Sequence, residues 1–167
     1  MGLKNETVCL ESNFKEWKEM YEEEKEELLN IFNKEDIVVE HVGSTSVEEL
    51  LAKPIVDIAL GINNYKNLEK YMNILQERYT VKINDESKEI LLIKENNLET
   101  FCLIHVLNST SDRFKNMVKF RDILRNNPDV LKEYQELKKH LSVMYSNDRK
   151  MYTKSKNDFI QKALKSH

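Results

Sequence analysis

The residues of this 167-residue chain best suited to chemistry lie between Glu40 and Ala59. Gly43-Ser44-Thr45-Ser46 follows an apolar run that starts at Ile37, and one carboxylate, Asp57, stands inside a second apolar run from Ile55 to Ile62. Gly43 is one of three glycines in the chain, and glycine permits a positive φ and a close backbone approach. The residues after it are expected to open a short helix-like piece, Val47 to Ala52, whose first N–H groups lack internal partners and attract anions. A strand, a Gly-Ser turn and a second strand carrying an acid form the local geometry that holds a phosphate beside a metal-binding carboxylate. The same donors also have a structural use, because Ser46 with Glu49, or Thr45 with Glu48, fits a capping box. Strand alternation places Ile55, Asp57, Ala59 and Gly61 on one face and Val56, Ile58, Leu60 and Ile62 on the other. An acid in that setting is costly to bury alone, so Asp57 requires a cation, a hydroxyl or a metal.

Three cations stand on apolar stripes of helices expected near the C-terminus. Arg121 lies among Phe114, Met117, Val118 and Leu124. Lys138 follows Leu131 by seven residues and shares a face with Tyr134 and Leu141. Lys156 follows Tyr152 by four and precedes Phe159 and Ala163. One such residue carries little meaning, since Lys and Arg stems lie along apolar surface with the charged head in water. One in each of three helices implies partners, either buried carboxylates such as Asp122 or Asp57 or a bound anion. His105, in an expected strand from Leu98 to Leu107, shares a face with Phe101, Leu103 and Leu107. It reads either as a hydrogen-bonded core histidine or as a ligand-binding residue of a cleft. His41, two residues before Gly43, is expected to share its strand face and to line the same cleft, whereas His140 and His167 read as surface residues.

The stretch Glu40-His41-Val42-Gly43-Ser44-Thr45-Ser46-Val47, followed by Lys53-Pro54-Ile55-Val56-Asp57-Ile58, resembles the core motif of the GrpB family, which is placed in the nucleotidyltransferase superfamily. The resemblance continues through Phe120-Arg121-Asp122, Tyr134, Lys138, Tyr152-Thr153, Lys156 and Phe159-Ile160, and covers nearly the whole chain. The superfamily pattern is Gly-Ser, roughly a dozen residues, then Asp-x-Asp/Glu on a strand. Twelve residues separate Ser44 from Asp57, but Ala59 stands where the second acid would be, as it is lacking in GrpB members generally. The resemblance implies an α/β (α+β) fold: a nucleotidyltransferase-like mixed sheet of about five strands, flanking helices and a C-terminal helical bundle forming one wall of a cleft. It further implies a phosphate or nucleotide site at Gly43, Ser44, Thr45, Lys53, Arg121, Lys138, Tyr152 and Lys156. Asp57 and His105 become catalytic candidates, with Asp57 as a ligand for Mg²⁺ and His105 facing Asp57 across the sheet if the superfamily's strand register holds. Two functions follow as expectations. One is nucleotidyl transfer with Mg²⁺. The other, favoured by the missing acid, is a non-catalytic binding or regulatory module for a nucleotide or a coenzyme A-related ligand, since GrpB-like domains occur fused to dephospho-coenzyme A kinase in some proteins. In either case the expected partner is a nucleotide or another phosphorylated small molecule.

The elements that must position these residues are readable from periodicity. A first helix is expected from just after Ser12-Asn13 to about Phe32, with the stripe Phe14, Trp17, Met20/Tyr21, Leu28, Ile31/Phe32. The two strands around the Gly-Ser turn come next, then a helix capped by Asn63-Asn64. Strands at 79–83, 89–94 and 98–107 follow, separated by polar turns at 84–87 and 95–97. Three helices near 112–125, 128–145 and 148–165 complete the chain, with Pro128 at a first helical position and Asn147 capping the last. One domain over 1–167 is expected, its sheet core at about 37–107. A hydrophobic content of 40% and a charged content of 33% describe a charge-rich globular chain. Cys9 and Cys102 show neither metal-ligand spacing nor a disulfide framework. No apolar stretch reaches signal-peptide or membrane-spanning length, so a cytoplasmic location is expected. Charge is uneven: residues 1–50 hold 5 basic and 14 acidic side chains, and residues 111–167 hold 14 and 7. A nucleic-acid footprint would want a larger basic patch with aromatic interleaving, so nucleic acid is not the expected partner.

Overall fold

The structure is a computed structural model and describes residues 3–4, 7–84, 89–96 and 99–167, with the backbone alone for residues 3–4. Strands β1 (Leu3–Lys4), β2 (Ile37–Val42), β3 (Val56–Ile62), β4 (Thr80–Ile83), β5 (Ile90–Asn96) and β6 (Glu99–Asn108) form one mixed sheet. Five of them run in the order β2-β3-β6-β5-β4, and β1 adds two residues to β6 at Glu99 and Thr100. The β3–β6 pair is parallel and the others are antiparallel. This is the mixed α+β sheet that the sequence led one to expect. Of the turn expected at 84–87, residues 85–87 lie outside the described residues; of the turn expected at 95–97, Glu95 and Asn96 instead continue β5 in register with Thr100 and Glu99, and residue 97 lies outside the described residues.

Alternation along β3 holds and divides the molecule into layers. Val56, Ile58, Leu60 and Ile62 join Val39, Leu92, Ile104 and Val106 beneath Trp17, Tyr21 and Leu28 of helix α1 (Phe14–Ile31) and Leu75 of α2 (Met72–Arg78). Each such fully buried aliphatic or aromatic side chain contributes roughly 1.5–3 kcal/mol. On the opposite face Val42, Ala59 and Leu107 pack against Phe114 of α3 (Asp112–Asn126). Helix α4 (Pro128–Met144) then brings Tyr134 edge-on to Phe120 at 5.2 Å and stacks it on Phe159 of α6 (Asn157–Ser166), also at 5.2 Å. Val47 and Leu50 complete that cluster, which ties the helical bundle to the segment after the Gly-Ser turn.

Local details differ from expectation in ways that matter for the site. The piece from Val47 to Ala52 is not a helix: a single 3-10 turn covers Ser44–Ser46, and Leu50 N–H then bonds to Val47 O at 3.2 Å. Neither capping box forms: the Ser46 hydroxyl donates to Gly43 O at 2.6 Å and the Thr45 hydroxyl lies 3.1 Å from His41 Nε2. A 3-10 turn, Tyr65–Tyr71, precedes α2, with no side-chain cap from Asn64. The last helix is two, α5 (Arg149–Lys154) and α6, and Asp148 rather than Asn147 caps α5 by accepting from Met151 N–H at 2.9 Å. The break occurs where Lys156 N–H reaches Thr153 O at 3.4 Å, the tighter i→i−3 pattern. Lys156 therefore sits at a junction between helices.

Candidate functional site

Gly43 has φ +69°, in the left-handed region. A Cβ there would lie 2.7 Å from Asp57 Oδ2, so only glycine lets the turn press against that carboxylate. The turn is held by Arg125, whose guanidinium donates to Ser46 O at 2.7 and 3.2 Å. The amides of Ser44 and Thr45 open the 3-10 turn and so have no partner within it. Beside the turn lies a cleft of about 1050 Å³, lined by Ser44, Thr45, Lys53, Asp57, His105 and, from the helical wall, Lys138, Tyr152 and Lys156. Gly43 touches it through Asp57. The structure thus brings together most of the residues singled out in the sequence.

Arg121 and His41 are the exceptions. Arg121, 10% exposed in its side chain, pairs with Glu40 at 2.6 Å and Asp122 at 2.8 Å and donates to His41 O at 3.0 Å. Glu40 and Asp122 line a separate groove against α3. The expectation that Arg121 converges on the cleft is corrected: its charge is met by internal carboxylates. His41 is paired with Ile58, whereas Val42 is paired with Asp57, so His41 lies on the α1 face of the sheet. The positive φ of Gly43 breaks the alternation that would have placed Gly43 and His41 together. His41 is 6% exposed, stacks on Tyr21 at 4.7 Å and lies 3.1 Å from the Thr45 hydroxyl. Burial, with Arg125 and Arg121 nearby, pushes its pKa down to about 4, so the ring is neutral.

His105 behaves in the opposite way. Ala59 pairs with His105 across β3–β6, which places the ring diagonal to Asp57 on the same face. Its Nε2 lies 3.8 Å from Asp57 and its Nδ1 3.3 Å from Glu89, and Arg113 in turn holds Glu89 at 2.9 Å. Burial disfavours the imidazolium, but the two flanking carboxylates raise its pKa to about 9. Burial likewise works against the Asp57 carboxylate, yet the His105 hydrogen bond and charge, with Lys53 and Lys156, hold its pKa below the usual range. Asp57 is therefore an ionised group, 32% exposed in its side chain, with a protonated neighbour.

Three ammonium groups face this pair. Lys138 is 1% exposed, donates to Leu51 O and sits 5.4 Å from the Tyr134 ring centre. Lys53 and Lys156 lie over the Tyr152 ring at 5.5 and 4.4 Å. Among the described residues none of the three forms an ion pair with a carboxylate. Burial lowers the pKa of Lys53 to about 7, helped by Lys156 and Arg149. Lys156 falls to about 8, again mainly through burial, with Asp57 opposing the shift. Lys138 is driven well below the usual lysine range by burial and by its two lysine neighbours.

These donors do not fit Mg²⁺. Among the described residues no three His, Cys, Asp or Glu side chains group to hold a metal ion, and Asp57, the one carboxylate lining the cleft, is paired with an imidazolium and faced by ammonium groups. Mg²⁺ takes hard oxygen ligands in octahedral geometry. What the cleft supplies instead is lysine amino groups, hydroxyls and amides.

Glu89, Arg113 and Arg125 were not singled out from the sequence. Glu89 opens the expected strand 89–94 with nothing to mark its partner, and Arg113 and Arg125 look like ordinary helix-surface charges; only strand register and helix docking give them partners.

Comparison with known proteins bears on the family and the fold. The family model described as GrpB protein matches residues 7–166. The glutamate-rich protein GrpB of Alkalihalophilus pseudofirmus is 32% identical over 170 residues, covering 98% of each chain. The YqkA protein of Bacillus subtilis is 30% identical over 149 residues, 88% of this chain and 43% of its own. The crystal structure of the conserved protein GrpB from Enterococcus faecalis superposes with a TM-score of 0.81 at 28% identity, covering 95% of this chain and 96% of that one. The Cid1 poly(U) polymerase, solved with MgGTP bound, shares the fold more distantly, with a TM-score of 0.51 at 17% identity over 80% of this chain and 44% of that one. The chain thus shares its fold with the Cid1 poly(U) polymerase, and it belongs to the GrpB family.

Proposed function

We propose that the cleft binds a nucleotide or another phosphorylated small molecule by its phosphates. The observation that carries this reading is the convergence of Lys53, Lys138 and Lys156 on the Ser44 turn with no carboxylate partner among the described residues. Like charges brought together under burial lower one another's pKa, a cost that a dianionic ligand offsets. Ser44 and the turn amides provide hydrogen-bond donors at the same place. Binding is the primary function; a coenzyme A derivative satisfies the same chemistry through its phosphates.

A second reading, group transfer, is favoured by one observation: the Asp57–His105 pair stands directly against the phosphate-facing turn. In that reading the His105 imidazolium donates a proton to a leaving oxygen, and the ammonium groups stabilise charge developing on the phosphoryl oxygens.

The test is thermal unfolding with ATP and with coenzyme A at millimolar concentration. Ligand at a hundredfold over Kd stabilises by about 2.7 kcal/mol, a shift of several degrees for a domain of this size. The shift should vanish in Lys53→Met and Lys156→Met. Absence of a shift with either ligand, or a shift that survives both substitutions, would contradict the proposal.

A further inference from the structure

The inner lysines are not the whole charge of the cleft. Helix α5 adds Arg149, Lys150 and Lys154 to its lining, and β4 adds Lys82 from the opposite side. Among the described residues, seven basic side chains therefore line a space whose lining holds one carboxylate, Asp57, and that carboxylate is paired with the His105 cation. One phosphate carries about two negative charges at neutral pH, far fewer than this lining. Lys82, Lys150 and Lys154 are exposed, so the positive surface extends from the buried lysines out to solvent.

The aromatic content of the same lining is equally informative. A nucleobase gains affinity by stacking on an aromatic face. Tyr152 is the one aromatic residue among the described lining residues. It is 0% exposed, and its ring lies beneath the Lys53 and Lys156 ammonium groups. Its ring is thus committed to holding cations and presents no face to a base. The remaining apolar lining is aliphatic, from Ile55, Leu91 and Leu103.

We propose that the ligand is a densely phosphorylated small molecule bearing three or more phosphoryl groups, selected by its phosphates and not by a base. This rests on the phosphate-binding reading and deepens it. The inner end, at Lys53, Lys138, Lys156 and Ser44, takes the first phosphate; the outer cations on α5 and β4 take those that follow.

Calorimetric titration of the full chain with orthophosphate, pyrophosphate, tripolyphosphate, ATP, GTP, CTP and adenosine tests the idea. Affinity should rise at least tenfold with each added phosphate, tripolyphosphate should bind within threefold of the nucleoside triphosphates, these should lie within threefold of one another, and adenosine should not bind. The exposed triple variant Lys82→Gln/Lys150→Gln/Lys154→Gln should lose tenfold or more for tripolyphosphate and less than threefold for orthophosphate. A nucleotide that binds ten times more tightly than tripolyphosphate, or an outer variant that leaves tripolyphosphate binding unchanged, overturns the inference while leaving the cleft a phosphate site. Failure of every phosphate compound to bind overturns both.

Discussion

Replacing Lys156 by Met separates a lysine that awaits an anion from one that neutralises a buried acid. The methionine keeps most of the apolar stem and removes the charge. In the folded protein the Lys156 pKa falls from the usual 10.5 to about 8, chiefly through burial. A lysine with a depressed folded pKa destabilises the folded state at low pH. The penalty is complete below pH 8, declines as pH rises, and is gone above about 10.5. By linkage it amounts to about 3 kcal/mol at pH 7 and less than about 1 kcal/mol at pH 10. The cation–π contact with Tyr152 at 4.4 Å opposes this by about 1 kcal/mol. Lys156→Met should therefore raise the stability of the ligand-free protein at pH 7 by roughly 1–2 kcal/mol, and the gain should disappear toward pH 10. Urea unfolding of both proteins at several pH values from 6 to 10 measures it. Phosphate-ligand affinity should fall at least tenfold in the same variant. A loss of stability at pH 7 that does not change with pH, together with unaltered ligand binding, would refute the reasoning.

Four further outcomes are expected. Gly43→Ala should cost about 1–3 kcal/mol in thermal unfolding, because φ +69° is unfavourable for a side chain and the new Cβ meets Asp57; an unchanged melting temperature would contradict this. Arg121→Met should also destabilise, by about 1–3 kcal/mol given that Glu40 and Asp122 are partly exposed, but should leave ligand affinity unchanged; a tenfold loss of affinity would return Arg121 to the cleft. Asp57→Asn should lower the His105 pKa from about 9 by at least one pH unit when the ring is titrated by NMR, since Asp57 is its largest supporting partner. The raised His105 pKa stabilises the fold fully below about pH 6.5 and is lost as pH passes 9, so this variant should also flatten the stability profile between those values. Ligand binding near pH 7–8 should take up protons, because the lysines at about 7 and 8 become fully charged beside an anion; equal binding enthalpies in buffers of different ionisation enthalpy would contradict that.

Much of the fold was legible because its elements carry strong periodicity. The α1 stripe, the alternation of β3 and the Pro128 start all stand where the pattern places them. Counting alternate residues gave the faces of Asp57 and His105 on their own strands, whereas setting the two side by side came from the family resemblance, since alternation does not say which strands pair. What could not be read was anything decided by docking. Arg121 and Lys138 occupy the same kind of position on an amphipathic helix. Helix α3 happens to lie over Glu40 while α4 lies over the backbone of Leu51, so one cation is paired and the other is left facing the cleft. His41 was misplaced because a single left-handed residue, Gly43, interrupts the strand, and alternation cannot be carried through such a turn. The division between α5 and α6 depends on one tightened hydrogen bond at Lys156, to which apolar spacing is blind.

The most direct test of the cleft's role is a crystal structure of the protein grown with ATP or tripolyphosphate. The expected result is phosphate density between the Ser44 turn and the Nζ atoms of Lys53, Lys138 and Lys156, with Asp57 still paired to His105. Phosphates bound elsewhere, or a cleft whose lysines have turned away to pair with carboxylates, would contradict it.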